Sequence, residues 1–314
     1  MKIVVLDDYQ NIARTLADWD SLDAEVEVIN SFIGDQDELV RRLAGAQVVV
    51  AMRERTRFTA ELLDRLADLK LLVSTGRRNA AIDLKATDRL GITVCGTGYL
   101  PSPTAEHTWA LILAAQRNLE TELAAMREGA WQTTVGLGLH GKTLALLGLG
   151  NLGQRVARIG QAFGMDTIAW SQNLTAERAA EHGVTAVTKE ELFARADVLS
   201  VHLVLSKRTR GLVGAADLAA MKPGALLVNT SRGPIVDEQA LVDAVREQRI
   251  RAALDVYDEE PLPADHPLRA LSGATLTPHL GYVTREVYEI FYRDAVDDIA
   301  AWRDGNPVRV MTLR

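Results

Sequence analysis

The sequence predicts an α/β fold made of two doubly wound parallel-sheet domains, and three observations carry that expectation. Short β-branched runs alternate with amphipathic helix-like segments. The alternation runs once from the first residues and starts again near residue 142. A glycine-rich turn joins strand to helix where the second series begins. Such alternation implies a parallel sheet covered on both faces.

Taken in order, "KIVVLDD", "AEVEVIN", "AQVVVAM", "LKLLVST" and "GITVCG" are strand-like. They are separated by segments such as "DQDELVRRLAGA" and "TAELLDRLADL", in which Leu39, Leu43 and Ala46 fall at helical spacing. "YLPSPTAEHTWALILAAQRNLETELAAM" is helix-length, opened by a Ser/Thr/Pro start signal. The second series runs through "KTLALLGLG", "DTIAWS", "VTAV", "DVLSVHL", "ALLVNTS" and "IRAALDVY" to "ATLTPH". The closing helical segment, "TREVYEIFYRDAVDDIAAWRDG", has the first sheet as its natural packing partner. The expected organisation is a discontinuous domain, residues 1–98 plus 281–314, around a contiguous one, residues 99–280. Asp7 and Asp8, at the end of the first strand, could suggest a phospho-acceptor pocket. With no other receiver-type feature they are read as closing a strand and polarising a helix start.

Composition narrows the function. With 314 residues, 47% apolar and 25% charged, the chain is long enough for two cores. A net charge of −7 argues against nucleic acid or an anionic membrane as partner, though a local basic pocket for a small anion is compatible with it. Cys95 is the one cysteine, which excludes an intrachain disulfide and a thiolate metal cluster; no metal site is expected. The N-terminus has no long apolar stretch and no run approaches the ~18 residues that span a bilayer, so a cytoplasmic protein is expected.

"GLGNLG" places Gly148, Gly150 and Gly153 in the G-x-G-x-x-G pattern after an apolar strand and at the start of a helix. That context turns a weak pattern into a dinucleotide-binding fingerprint. The first glycine permits the tight turn, the second lets backbone approach a pyrophosphate, and the third lets helix and strand pack closely. Free N–H groups and the helix dipole then favour the phosphates. Downstream, Arg232 in "NTSRGP", Asp255 and Glu260 in "LDVYDEEP", and His279 in "TPHLGY" each follow a strand, at the sheet edge where ligands bind in open α/β folds. Each alone has a bland reading, as a surface cation, solvated carboxylates or a loop histidine. Their order after the fingerprint makes coincidence improbable.

With these motifs, over nearly its whole length, the chain resembles the D-isomer-specific 2-hydroxyacid dehydrogenases, which include glyoxylate/hydroxypyruvate reductases and phosphoglycerate dehydrogenases. The resemblance implies a Rossmann-type cofactor domain inserted into a flavodoxin-like substrate domain, and NAD(P)-dependent reduction of a small 2-keto acid. It makes Arg232 the clamp of the substrate carboxylate, His279 the acid in reduction and base in oxidation, and Glu260 its partner. Asp255 would help hold the nicotinamide end. These roles suit the chemistry: reduction puts negative charge on a former carbonyl oxygen, where a proton donor and a fixed cation must converge. A guanidinium fork suits a carboxylate, and a carboxylate beside His279 favours the imidazolium that donates near neutrality. Formate dehydrogenases share the layout with Gln in place of Glu260, because formate oxidation moves no proton.

The resemblance also gives the cofactor Asn151, Leu152, Thr104, Ser171, Gln172, Asn173, His202, Val204, Lys207, Arg208, Thr209 and Thr230. The substrate receives Arg53, Gly76, Arg77 and Arg78. The two arginines replace small residues in the loop "STGRRNAA" and suggest a larger or more anionic acid than glyoxylate. Ser171 stands eighteen residues after Gly153, where NAD-dependent relatives usually place Asp, and the neutral "SQN" removes the repulsion of a ribose 2′-phosphate. With Lys207 and Arg208 as nearby cations, NADP(H) is favoured and NAD(H) tolerated. Family members dimerise through the segment after the first crossover, where Trp109, Leu111 and Ile112 supply either interface or core, so a homodimer is expected. The end at Arg314, without a regulatory domain, weighs against feedback-regulated synthesis. The competing reading is a catalytically silent dinucleotide sensor on the same fold.

Overall fold

In a computed structural model, which describes residues 1–312, the chain divides into two compact units, Met1–Leu100 with Thr284–Arg314 and Pro101–Val283. The first unit holds β1 (Lys2–Val5), β2 (Glu25–Val28), β3 (Val48–Ala51), β4 (Leu71–Ser74) and β5 (Thr93–Gly96) in one parallel sheet of order β2-β1-β3-β4-β5. This is the flavodoxin-like order. Its helices are α1 (Ala13–Leu16), α2 (Gln36–Arg42), α3 (Ala60–Asp64) and α4 (Leu84–Arg89). Alternate strand residues Val4, Val49, Leu72 and Val94 bury against Leu39, Leu62 and Ala86 of α2, α3 and α4.

Asp8 accepts from the N–H groups of Ile12 and Ala13 at 3.2 and 2.9 Å, and Asp7 accepts from the Thr56 hydroxyl at 2.7 Å. The pair therefore does what the simpler reading assigned to it. Burial pushes the Asp7 carboxyl up, against the opposing hydrogen bond from Thr56 and charge of Arg55.

The second unit opens with α5 (Ser102–Gln116) and α6 (Leu119–Arg127). The sequence suggested one long helix here; Asn118, in the left-handed region at φ 50°, breaks it in two. Trp109, Leu111 and Ile112 are spent in the core of this unit, with Trp109 Nε1 donating to the Val156 carbonyl at 3.2 Å. The exposed apolar side chains lie further on, at Leu119, Leu123, Met126, Trp131, Val135 and Leu137.

Seven parallel strands follow: β6 (Thr143–Leu147), β7 (Asp166–Trp170), β8 (Thr185–Ala186), β9 (Val198–Val201), β10 (Leu226–Asn229), β11 (Arg251–Leu254) and β12 (Ala274–Leu276). Their order, β12-β11-β10-β9-β6-β7-β8, puts the switch point at β6, with β7 on one side and β9 on the other. Helices α7 (Asn151–Ala162), α8 (Ala176–Ala180), α9 (Lys189–Arg195), α10 (Ala215–Ala220) and α11 (Glu238–Arg246) complete the unit. Leu144 and Leu146 face α5 and α7, while Ala145 and Leu147 face α9, α10 and α11, so the sheet is buried on both sides.

The chain then returns to the first unit as α12 (Arg285–Arg303), which packs against β4 and α1. Val287, Tyr288, Phe291, Tyr292, Ala295 and Ile299 form its buried stripe, at the spacing that makes a helix amphipathic. Beyond it, Gly96 N–H donates to Arg309 O at 3.0 Å and Met311 N–H to Val94 O at 2.7 Å, laying an antiparallel segment on the edge of β5. No helix among the described residues is long and apolar enough to cross a membrane.

Candidate active site

The β6–α7 turn is built by its glycines. Gly148 sits at φ 107°, and a Cβ there would lie 2.6 Å from His202 O. A Cβ on Gly153 would lie 2.2 Å from Gly148 O, so only glycine lets α7 meet the turn this closely. Gly150 is different, because its Cβ would enter open space. It caps α7 without a side chain, which leaves the first-turn N–H groups of Asn151 and Leu152 facing that space. A bare helix N-terminus beside an open backbone approach fits a pyrophosphate.

Ser171 follows β7 directly, and Gly148 N–H donates to Trp170 O at 2.9 Å, so the two loops adjoin. Gln172 and Asn173 are exposed. On the other side of β6, the loop after β9 carries exposed Val204, Lys207 and Arg208. Thr209 is occupied in that turn, its hydroxyl donating to Val204 O at 2.7 Å. Burial lowers the His202 imidazole to about 4, so it is neutral at pH 7 and contacts Ser200 Oγ at 2.9 Å.

The sheet edge after β10, β11 and β12 holds the other cluster. Arg232 leaves β10 on a loop fixed by Asn229, whose Nδ2 donates to Arg232 O at 2.9 Å. A Cβ on Gly233 would stand 2.1 Å from the Tyr257 carbonyl carbon, so this loop lies directly on the one after β11. Glu260 accepts from Tyr257 N–H at 3.0 Å with one oxygen, and its other oxygen is 2.6 Å from His279 Nδ1. Both carboxylate oxygens are thereby used, and Nε2 is the ring nitrogen left to exchange a proton with another molecule. The Tyr257 hydroxyl donates to Thr277 O at 3.0 Å, tying the loop of Glu260 to that of His279.

Asp255 is buried beneath these loops, at 1% exposure. It accepts from Thr277 Oγ1 at 2.6 Å and from the N–H groups of Leu280 and Gly281 at 2.7 and 2.8 Å. Desolvation would raise its carboxyl, but the hydrogen bond and charge of His107, with the bonds from Thr277 and Leu280, hold it below the usual range. Thr230 is 2.8 Å from the Thr108 hydroxyl, and Thr104 stands on the same face of α5. His107, which the sequence reading passed over, joins this group. Its signal was a polar stripe, Thr104, His107 and Thr108, on a helix whose other buried residues, Gln116 apart, are apolar.

Arg53, Gly76, Arg77 and Arg78 belong to the other unit. A Cβ on Gly76, at φ 87°, would collide with the Arg53 guanidinium at 1.8 Å, so that arginine lies across the loop after β4. The N–H of Gly76 donates to Thr97 Oγ1 at 2.7 Å, while Arg77 and Arg78 are exposed. Among the described residues there is no cluster of three side chains suited to a metal ion.

Residues 109–281 match the family described as D-isomer specific 2-hydroxyacid dehydrogenase, NAD binding domain. A glyoxylate reductase of Aeropyrum pernix is 41% identical over 79% of this chain and 78% of that protein. A D-3-phosphoglycerate dehydrogenase of Archaeoglobus fulgidus is 34% identical over 98% of this chain but 58% of its own length. The chain thus spans little more than half of that relative. In structure, a phosphoglycerate oxidoreductase from Vibrio cholerae O395 matches with a TM-score of 0.94 and 40% identity, covering 97% of this chain and 99% of that one.

Proposed function

The chain belongs to the D-isomer-specific 2-hydroxyacid dehydrogenases, and from that membership we propose that it reduces a small 2-keto acid to the D-2-hydroxy acid, reversibly, with a nicotinamide dinucleotide. The observation that carries the reading is the pairing of His279 Nδ1 with Glu260 at 2.6 Å, at the same sheet edge as Arg232. Glu260 holds the ring so that Nε2 delivers a proton to the oxygen that gains charge, and in the reverse direction Nε2 accepts it. Arg232 binds the acid's carboxylate through its fork. The nicotinamide group, when bound, supplies the hydride chemistry. The β6–α7 turn would hold its pyrophosphate on the N–H groups of Asn151 and Leu152.

In this reading Arg53 and the loop from Gly76 to Arg78 serve the substrate. Because Gly76 N–H is committed to Thr97, carboxylate donors there must come from later N–H groups or the arginine side chains. The neutral Ser171, Gln172 and Asn173, with Lys207 and Arg208 across the switch point, support NADP(H) over NAD(H). The exposed apolar segment from Leu119 to Leu137, with Trp131 and Val135 at 75% and 93% exposure, supports a homodimer formed through it.

The test is kcat/KM with NADPH and NADH, using glyoxylate and hydroxypyruvate as acceptors, with His279→Ala as control. His279-dependent turnover supports the reading, and NADPH preference supports the cofactor choice. Nucleotide binding without turnover of these or larger keto acids would replace it with the sensor. Light scattering of the purified chain reads the oligomeric state.

A further inference from the structure

His107 lies on α5, outside the loops that carry Arg232, Glu260 and His279, yet its Nε2 is 3.1 Å from Asp255 Oδ1 and 3.0 Å from Thr277 Oγ1. Thr277 has one hydroxyl proton and sits 2.6 Å from the same carboxylate oxygen, so it donates there. That leaves lone pairs of both oxygens facing His107, and Nε2 must carry a proton to satisfy them. Asp255 in turn receives the N–H groups of Leu280 and Gly281, the two residues after His279. His279 itself sits in the left-handed region at φ 54°, which a non-glycine residue holds only when its surroundings impose it. The loop packs tightly against the same carboxylate and α5: a Cβ on Gly281 would meet Asp255 Oδ2 at 3.1 Å and Thr104 Cγ2 at 3.3 Å.

We infer that His107 is a positioning residue for the reductase proposed above: through the Asp255 carboxylate it fixes the Leu280 and Gly281 amides, and so holds His279 in the backbone conformation that lets its ring engage Glu260. The hub is reached from three places, α5 through His107, the residue just after β12 through Thr277, and the following loop through its amides. Removing the α5 donor leaves a buried carboxylate short of one partner and frees it to turn away from the loop. The inference rests on the acid–base role of His279, but the loop geometry it concerns is measurable without turnover.

The experiment compares His107→Leu, which removes the donor, His107→Asn, whose amide is one carbon shorter, and His107→Gln, whose Nε2–H reaches the same place. Hydrogen exchange of the amides of Leu280 and Gly281 is read in each purified protein, beside the melting temperature. A displaced proton donor costs on the order of 10- to 100-fold in the chemical step, so kcat for keto-acid reduction should fall by that much in the Leu and Asn variants. The nucleotide Kd, from fluorescence titration, should stay within about threefold, and Gln should restore kcat and exchange protection together. The inference is overturned if Leu280 and Gly281 keep their protection in His107→Leu or, should that variant not fold, in His107→Asn. Gln performing no better than Leu, or a loss confined to nucleotide Kd, overturns it too. If the wild-type chain turns over no keto acid, the proposed function fails on its own, and exchange alone decides the role of His107.

Discussion

Replacing Glu260 with Gln tests the acid–base pair with almost no change of shape. In the native site one carboxylate oxygen accepts from Tyr257 N–H at 3.0 Å and the other lies 2.6 Å from His279 Nδ1. An amide has one oxygen and one NH2 group, so it cannot satisfy both. If the oxygen keeps Tyr257, the NH2 faces Nδ1 and the imidazolium meets a donor. If the oxygen keeps His279, the NH2 faces Tyr257 N–H. In either orientation the charged ring loses its counter-charge. A charge-assisted hydrogen bond contributes about 1.5–3 kcal/mol. The side chains are 20% and 30% exposed, and water screens part of that. The lower end, about 1.5–2 kcal/mol, corresponds to a roughly 10- to 30-fold loss. Steady-state kcat/KM for keto-acid reduction should fall by that factor near neutrality. Nucleotide Kd should not change. A Glu260→Gln protein with native kcat/KM would refute the assignment of Glu260 as the partner of the acid.

Gly153→Ala places a methyl group 2.2 Å from Gly148 O, so α7 must retreat by about 1 Å; we expect a stability loss of about 1–3 kcal/mol by denaturant titration and at least a tenfold weaker nucleotide Kd. Unchanged nucleotide affinity would remove the pyrophosphate from this turn. Arg77→Ala and Arg78→Ala should raise KM for phosphohydroxypyruvate roughly two- to fivefold in at least one case, the scale of an exposed ion pair, without raising it for glyoxylate; if neither changes any KM, these arginines are solvated bystanders. Asp298 is fully buried on α12, and desolvation, opposed by Arg309, raises its carboxyl from 3.8 to about 7. The folded state therefore binds a proton more tightly than the unfolded one, and stability falls as pH rises from about 4 to about 7, by at most about 4 kcal/mol. Asp298→Asn should flatten that part of the stability–pH curve; the same slope in the variant would exonerate Asp298.

The fold was legible where physics is local. The runs that became β1 to β7 and β9 to β12 are β-branched or leucine-rich and bounded by turn residues, and Gly148 and Gly153 have steric reasons in the turn, whereas a Cβ on Gly150 would meet open space. The expected proximity of Glu260 and His279 is present, carried by loops whose order along the chain already implied adjacent strands. What escaped notice depended on partners distant in sequence. Nothing near Asn118 forbids a continuous helix, yet Leu137 N–H donates to Gln116 O at 2.7 Å as the chain doubles back. His107 is unremarkable in "AEHTW" until Asp255 and Thr277 are placed beside it. "TAELLDRLADL" kept its apolar spacing but yielded helix only over Ala60–Asp64, because the chain must turn to enter β4.

The return of α12 to the first sheet has a consequence for how the polypeptide is made. Tyr288 donates its hydroxyl to Gln10 Oε1 at 3.2 Å, across 278 positions of sequence. A ribosome delivers β1 to β5 long before the helix that covers β4, and the whole intervening unit emerges in between. The continuous unit can collapse as it appears, whereas the interrupted one must wait with an uncovered apolar face until α12 is free of the tunnel. Its completion is a late, long-range closure, the slow kind of step that exposes a nascent chain to self-association. Yield at elevated temperature should therefore be governed by the lifetime of that waiting state.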